Sequence, residues 1–217
     1  MPQTIDRIVA LGCSNTWGMG LPDIEDEDFV GKVPSKLAWP VLVGNKLNLK
    51  RKIGEHIINY GSVACSNKFI HRKLTSLTNL QKTDLVLILW TYHDRHCVFK
   101  NETEELARFR PWHDDKPTKN YYKYHHSQYD AELATAVFMD HSAFWLRNKK
   151  IKYRFATVFD GWKYNHSPYL NYKESYIDIN FTKVHNNYIG QNMTAKDNIH
   201  PGVDMHRYVA DQFYQSL

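Results

Sequence analysis

Cysteine is scarce in this chain: three in 217 residues, Cys13, Cys65 and Cys97. An odd number at wide spacing excludes a disulfide framework or a C-x-x-C metal site as the organising device, and a reducing compartment is the simplest reading. No apolar run approaches the length that crosses a bilayer, and the opening residues, MPQTIDRIVALG, lack a basic region followed by a long apolar stretch. The expectation is a soluble, cytoplasmic protein with no export signal of its own and no membrane partner. Internal repeats and low-complexity tracts are missing too. A basic face is lacking although the formal net charge is +5 with 12 histidines besides. The acids cluster at 23–28 (DIEDED) while the positive charge is spread from Lys46 through Lys173, so nucleic acid is not indicated as a partner. A homo-oligomer stays open.

What the chain does have is apolar residues, 42% of the total, enough for one sizeable core and one domain over 1–217. The run 8–11 (IVAL) is cut off by Gly12 and followed by Ser14, the pattern of a buried strand that breaks into a tight turn. A helix is expected from about Trp39, with Pro40 in its first turn. A short strand follows at 57–59, and then a helix that Ser66 opens, with Phe69, Ile70, Leu74 and Leu77 at helical spacing. The clearest strand is 84–90 (DLVLILW), apolar without alternation, as in a parallel sheet covered on both faces. It delivers Thr91, Tyr92, His93, Asp94 and Arg95 at its carboxyl end. From 97 to 128 the periodicity is weak; a short helical signal at 104–109 and a Pro-, His-, Lys- and Tyr-rich passage suggest a loop-rich insertion, a lid or substrate-facing segment. A helix at 131–149, a strand at 151–159, a loop-like region from 162 to 196 with a short strand at 176–179, and a last helix carrying Met205, Val209, Phe213 and Leu217 complete the chain. Strands alternating with helices predict an α/β protein: a three-layer α/β/α sandwich around a central parallel sheet of about five strands.

Ser14 would stand at the carboxyl edge of that sheet, where ligands bind in open α/β folds. A serine hydroxyl is a poor nucleophile unless a neighbouring base, usually a histidine oriented by a carboxylate, takes its proton. Asp197 and His200, three apart before Pro201 and the last helix, offer such a pair. The structural alternatives are plain: Ser14 as a helix cap, Asp197 as a turn cap and His200 as an exposed loop residue.

Gly12-Cys13-Ser14 with Gly18 resembles the first block of the SGNH (GDSL-type) hydrolases, usually Gly-Asp-Ser, and Asp197-Asn198-Ile199-His200-Pro201 is similar to their last block, Asp-x-x-His-Pro. The resemblance implies a flavodoxin-like fold and an esterase that needs no cofactor and no metal. Ser14 would be the nucleophile, His200 the base and Asp197 the orienting acid. Asn59 to Ala64 resembles the second block, Asn-x-x-x-x-Gly, with Ala64 in place of the glycine whose amide faces the oxyanion; an alanine fits there if its φ is negative. Thr91 to Asp94 falls where Gly-x-Asn-Asp is expected, so His93 replaces the asparagine of the oxyanion hole. The hole would comprise the amides of Ser14 and Ala64 with His93, and substrate contacts are expected from Asn15, Thr91 and Arg95. Trp90-Thr91 followed by Arg95 looks like a variant third block of phage-type and bacterial members, which would make the protein virion-associated if phage-encoded. The substrate implied is an O-acyl ester of a carbohydrate or similar small molecule.

Three rival readings use overlapping residues. Cys13 could be the nucleophile instead of Ser14. His93, His96 and Cys97 could bind zinc with a fourth ligand from His113 or from His125 and His126, although no regular spacing supports it. The degenerate middle blocks also fit a binding or structural module that has lost its oxyanion hole.

Overall fold

The computed structural model describes residues 4–25, 31–49, 55–101, 105–159, 172–187 and 194–217. Its centre is a four-stranded parallel sheet, in the order β2-β1-β3-β6, made of β1 (Arg7–Gly12), β2 (Ile57–Gly61), β3 (Asp84–Trp90) and β6 (Lys152–Thr157). Every residue of β3 is buried, as its unbroken apolar run requires of a strand covered on both faces. At the amino end, Arg7 pairs with Asp84 directly across from it in the ladder, donating through Nε and Nη2 at 2.8 and 2.6 Å, which pins the register of β1 against β3.

Helices cover both faces. On one side lie α2 (Trp39–Lys46) and α7 (Val203–Gln215), joined by the stacked rings of Trp39 and Phe213 at 4.6 Å. On the other, α3 (Asn67–Thr75) packs against α5 (Gln128–Asn148). Pro40 sits in the first turn of α2 and the Ser66 hydroxyl caps α3 by accepting from Phe69 N, both as expected. The connection from β1 runs outward to β2, and the next returns past β1 to β3 on its other side, so the strand order reverses between β1 and β3 and the switch point of the sheet lies just past Gly12.

Several expectations are corrected. The sheet has four strands among the described residues, not five: the segment at 176–179 contributes one parallel bridge, Tyr176 to Phe155, after a 3-10 turn at Lys173–Ser175. The helical signal at 104–109 is instead a strand, β5 (Glu105–Phe109), which pairs antiparallel with β4 (His96–Phe99) because cross-strand partners outweigh so short a helical pattern. The insertion also carries α4 (Lys116–Tyr124), capped by Asp115, which accepts from Thr118 N and Oγ1. Within the stretch read as loop, α6 (Phe181–Asn187) forms; 160–171 and 188–193 lie outside the described residues.

Candidate active site

Gly12 ends β1 in a space that admits no side chain: a Cβ there would meet Thr16 Oγ1 at 2.0 Å and Leu89 O at 2.8 Å. The chain turns at once into α1 (Ser14–Trp17), with Cys13 rather than Ser14 at the cap position and Gly18 closing the turn at φ 86. Asn59 on β2 holds this turn, donating from Nδ2 to Thr16 O at 2.7 Å while its Oδ1 accepts from Gly61 N. Ser14 is therefore fixed at the sheet edge, 4% exposed, with its hydroxyl free of capping duty.

The segment 194–201 folds back on itself through Ala195 N to His200 O and a bridge between Thr194 and Pro201. Lys196 ties it to the turn after α1, its amide donating to Gly20 O and its ammonium to Pro22 O, both within 3 Å. Here Asp197 Oδ1 accepts from the amides of Ile199 (3.0 Å) and His200 (2.9 Å), and Oδ2 lies 2.5 Å from His200 Nδ1. His200 Nε2 lies 3.0 Å from Ser14 Oγ. Burial pushes the Asp197 carboxyl upward, but the hydrogen bonds from the two amides and the ring outweigh it and leave its pKa below the ordinary value. An ionised Asp197 assigns the Nδ1 proton to the contact with the carboxylate and leaves the Nε2 lone pair facing the serine hydroxyl. Ser14, His200 and Asp197, 186 residues apart at the extremes of the Ser14 contact, thus form one continuous hydrogen-bonded chain.

This chain opens into a cavity of about 200 Å³ bounded by Ser14, Asn15, Tyr92, Arg95, His185 and Ile199. Of the residues expected to contact substrate, Asn15 and Arg95 border this cavity. Thr91 does not: it is 0% exposed, its N–H donating to Asn67 Oδ1 and its carbonyl accepting from Asn67 Nδ2, so it is walled off from any substrate. His93 borders a different cavity, where its Nε2 meets Gln128 Nε2 at 2.8 Å and its ring abuts Phe159. It is not brought to Ser14, because residues leaving a strand alternate sides and Tyr92 takes the near side. Ala64 has φ +53, so the condition of a negative φ is not met; its amide has no acceptor among the described residues, while its carbonyl accepts from Arg110 Nε at 3.2 Å. Sequence reasoning missed Tyr92 and His185; the first lay in a recognised block and the second on α6, which carries little periodic signal.

The rivals fare differently. Cys13 is wholly buried, which removes its sulfur from any substrate. For zinc, no group of three His, Cys, Asp or Glu side chains among the described residues has the geometry to hold a metal ion. His96 instead stacks on Tyr121 and the Cys97 sulfur receives the Ser66 hydroxyl.

Solved structures of the same architecture come from several sources. A protein assigned to the lipolytic G-D-S-L family from Desulfitobacterium hafniense DCB-2 is 12% identical, with TM-score 0.54 over 98% of this chain and 99% of that one. An acetyl xylan esterase, Axe2, from Geobacillus stearothermophilus is 14% identical, TM-score 0.52, over 98% and 94%. LAE5, an alpha/beta hydrolase from the metagenome of Lake Arreo, is 13% identical, TM-score 0.52, over 98% and 95%. The fold is that of the SGNH hydrolases. No protein-family model and no curated protein matches the sequence. In this fold Ser14 after β1 and the segment carrying Asp197 and His200 meet across the sheet edge, whereas His93 after β3 borders the other cavity.

Proposed function

We propose that the protein is a serine ester hydrolase that removes a short O-acyl group from a carbohydrate or similar small molecule. The observation that carries this reading is the Ser14–His200–Asp197 chain at 3.0 and 2.5 Å. It is supported by the neighbours: Axe2 is an acetylxylan esterase, and its variants with a serine or an aspartate changed to alanine are described as catalytic mutants. A cavity of about 200 Å³ suits an acetyl-sized group better than a long acyl chain.

In the proposed mechanism Ser14 Oγ attacks the ester carbonyl while His200 Nε2 takes the hydroxyl proton, and Asp197 steadies the resulting imidazolium. The tetrahedral intermediate collapses, the carbon–oxygen bond to the alcohol breaks, and His200 returns its proton to that oxygen. Water, deprotonated by the same imidazole, then cleaves the acyl-serine and releases the carboxylic acid. The amides of Ser14 and Ala64 donate to the oxyanion. Alanine at φ +53 costs roughly 1–2 kcal/mol that glycine would not, and strain of this kind gathers at functional sites. With His93 turned away, the place of the third donor falls to the guanidinium of Arg95, which borders the cavity.

The turn of His93 away from Ser14 also favours a second reading, a binding module of the same fold without turnover. Release of p-nitrophenol from p-nitrophenyl acetate, labelling of Ser14 by a fluorophosphonate, and loss of both in Ser14→Ala are the results expected of the esterase. No labelling and no turnover across a panel of acyl esters would leave the binding module standing.

A further inference from the structure

A second cavity, also of about 200 Å³, opens on the other side of Arg95, between the end of β3, β4 and the facing surfaces of α3, α4 and α5. Its chemistry differs from that of the Ser14 cavity. Lys68 and Arg95 bring two fixed positive charges to its wall, and His93, His96, His125 and His126 add imidazole donors. The carboxylates facing them are few. Asp130 borders the cavity, and Glu132 lies 3.8 Å from His93 but already accepts from Gln128 Nε2 at 2.6 Å.

Three observations say that this charge awaits a ligand. Arg95 Nε and Nη1 are buried and have no hydrogen-bond partner among the described residues; the guanidinium rests on the rings of Tyr92 and Trp112, at 5.1 and 4.9 Å, which hold it in place without satisfying its donors. His93 Nδ1 is likewise buried and unpartnered. Lys68 forms no ion pair among the described residues, its nearest organised contact being the face of Phe99 at 5.8 Å. Buried donors of this kind are costly to leave unmet, and an anion meets several at once. The remaining walls include aromatic side chains: Tyr121, clustered with Phe109 and His96, and Phe138, beside His71, line the cavity and give it apolar surface for the C–H groups of a sugar ring.

We propose that this cavity binds a sugar bearing a carboxylate or a phosphate, its anionic group held by Lys68 and Arg95 and its ring set against Tyr121 and Phe138. Because Arg95 borders both cavities, the anionic sugar is a neighbouring unit of the acylated glycan at Ser14, a step that rests on the esterase reading.

Calorimetric titration of the Ser14→Ala protein with methyl glucuronide, glucose 6-phosphate, inorganic phosphate and glucose tests the site without turnover. Binding of one or both anionic sugars, at least about tenfold tighter than glucose and than free phosphate, is expected, with a further loss of about tenfold in Lys68→Met. Preference for the uronate or the phosphate identifies the source of the charge. Anionic sugars that bind no better than glucose, or no better than free phosphate, overturn the proposal, as does binding unchanged by Lys68→Met. In the wild-type background Lys68→Met should leave p-nitrophenyl acetate turnover as it is and lower kcat/KM selectively for acetylated methyl glucuronide over acetylated methyl glucoside. Sugar binding without ester turnover would sink the esterase reading alone; ester turnover without sugar binding would sink only this one.

Discussion

His93 marks the limit of what a single residue's position in the chain reveals. It follows β3 by three positions, in a block where the family places an oxyanion donor, and an imidazole N–H is chemically fit for that task. What decides is direction. Asn67 clamps both backbone groups of Thr91, Tyr92 turns toward Ser14, and His93 turns to Phe159 and Gln128. His93→Ala should therefore leave kcat for a small neutral ester within about twofold, whereas Arg95→Met should lower it by about 10²–10³, the usual loss for one oxyanion donor. Steady-state kinetics on both variants make the check, and a fall of that size in His93→Ala with Arg95→Met unaffected would restore the original assignment. Ser14, His200 and Asp197 were legible for the opposite reason: each sits in a short block whose local spacing fixes its geometry, Asp-x-x-His by an Asx-type turn and Gly-x-Ser by a turn that only glycine can enter.

At the scale of elements, the site depends on two irregular segments docking together: the turn after α1 and the fold-back at 194–201. Gly20, at φ +76, is the contact point. A Cβ there would stand 2.9 Å from both Cγ and Oδ2 of Asp197 and 3.0 Å from the Cβ of Ala195. Gly20→Ala should push the carboxylate off His200, and a misplacement on the order of 1 Å is enough to cost about a hundredfold in rate. The expected signature is a fall in kcat with KM little changed and the protein still folded by circular dichroism. An unaltered kcat would mean that Asp197 does not orient the base. Regular elements were largely readable, β3 from its unbroken apolar run and α3 from Ser66 and its apolar spacing. The hairpin of β4 and β5 was not, because a five-residue strand is specified by its partner more than by its own sequence. The α4 signals, Asp115 followed by Pro117, were present but lay among aromatics and histidines that serve cavity walls instead of a helical stripe.

For the whole molecule, histidine sets the response to acid. His206 is completely buried in α7, its Nδ1 accepting from Trp39 N at the start of α2. Burial above all, with a smaller contribution from His200, lowers its pKa to about 3. His71 is lowered to about 4 by burial and by His141, and His96 and His185 are lowered too, chiefly by burial. Such groups stay neutral in the folded protein while the unfolded chain takes up protons below about pH 6.5, so their stabilising contribution is present above that pH and drains away as pH falls toward the folded values. The Asp197 carboxyl, shifted down, loses its contribution only below about pH 3.9, so the histidines act first. Urea midpoints should therefore drop steadily between about pH 6.5 and pH 4.5, each wholly neutral histidine adding about 1.4 kcal/mol per pH unit to the slope. His206→Asn, which keeps an acceptor for Trp39 N but takes up no proton when unfolded, should flatten the slope by about that amount. An unchanged slope in this variant would mean that His206 is protonated, and satisfied, inside the fold.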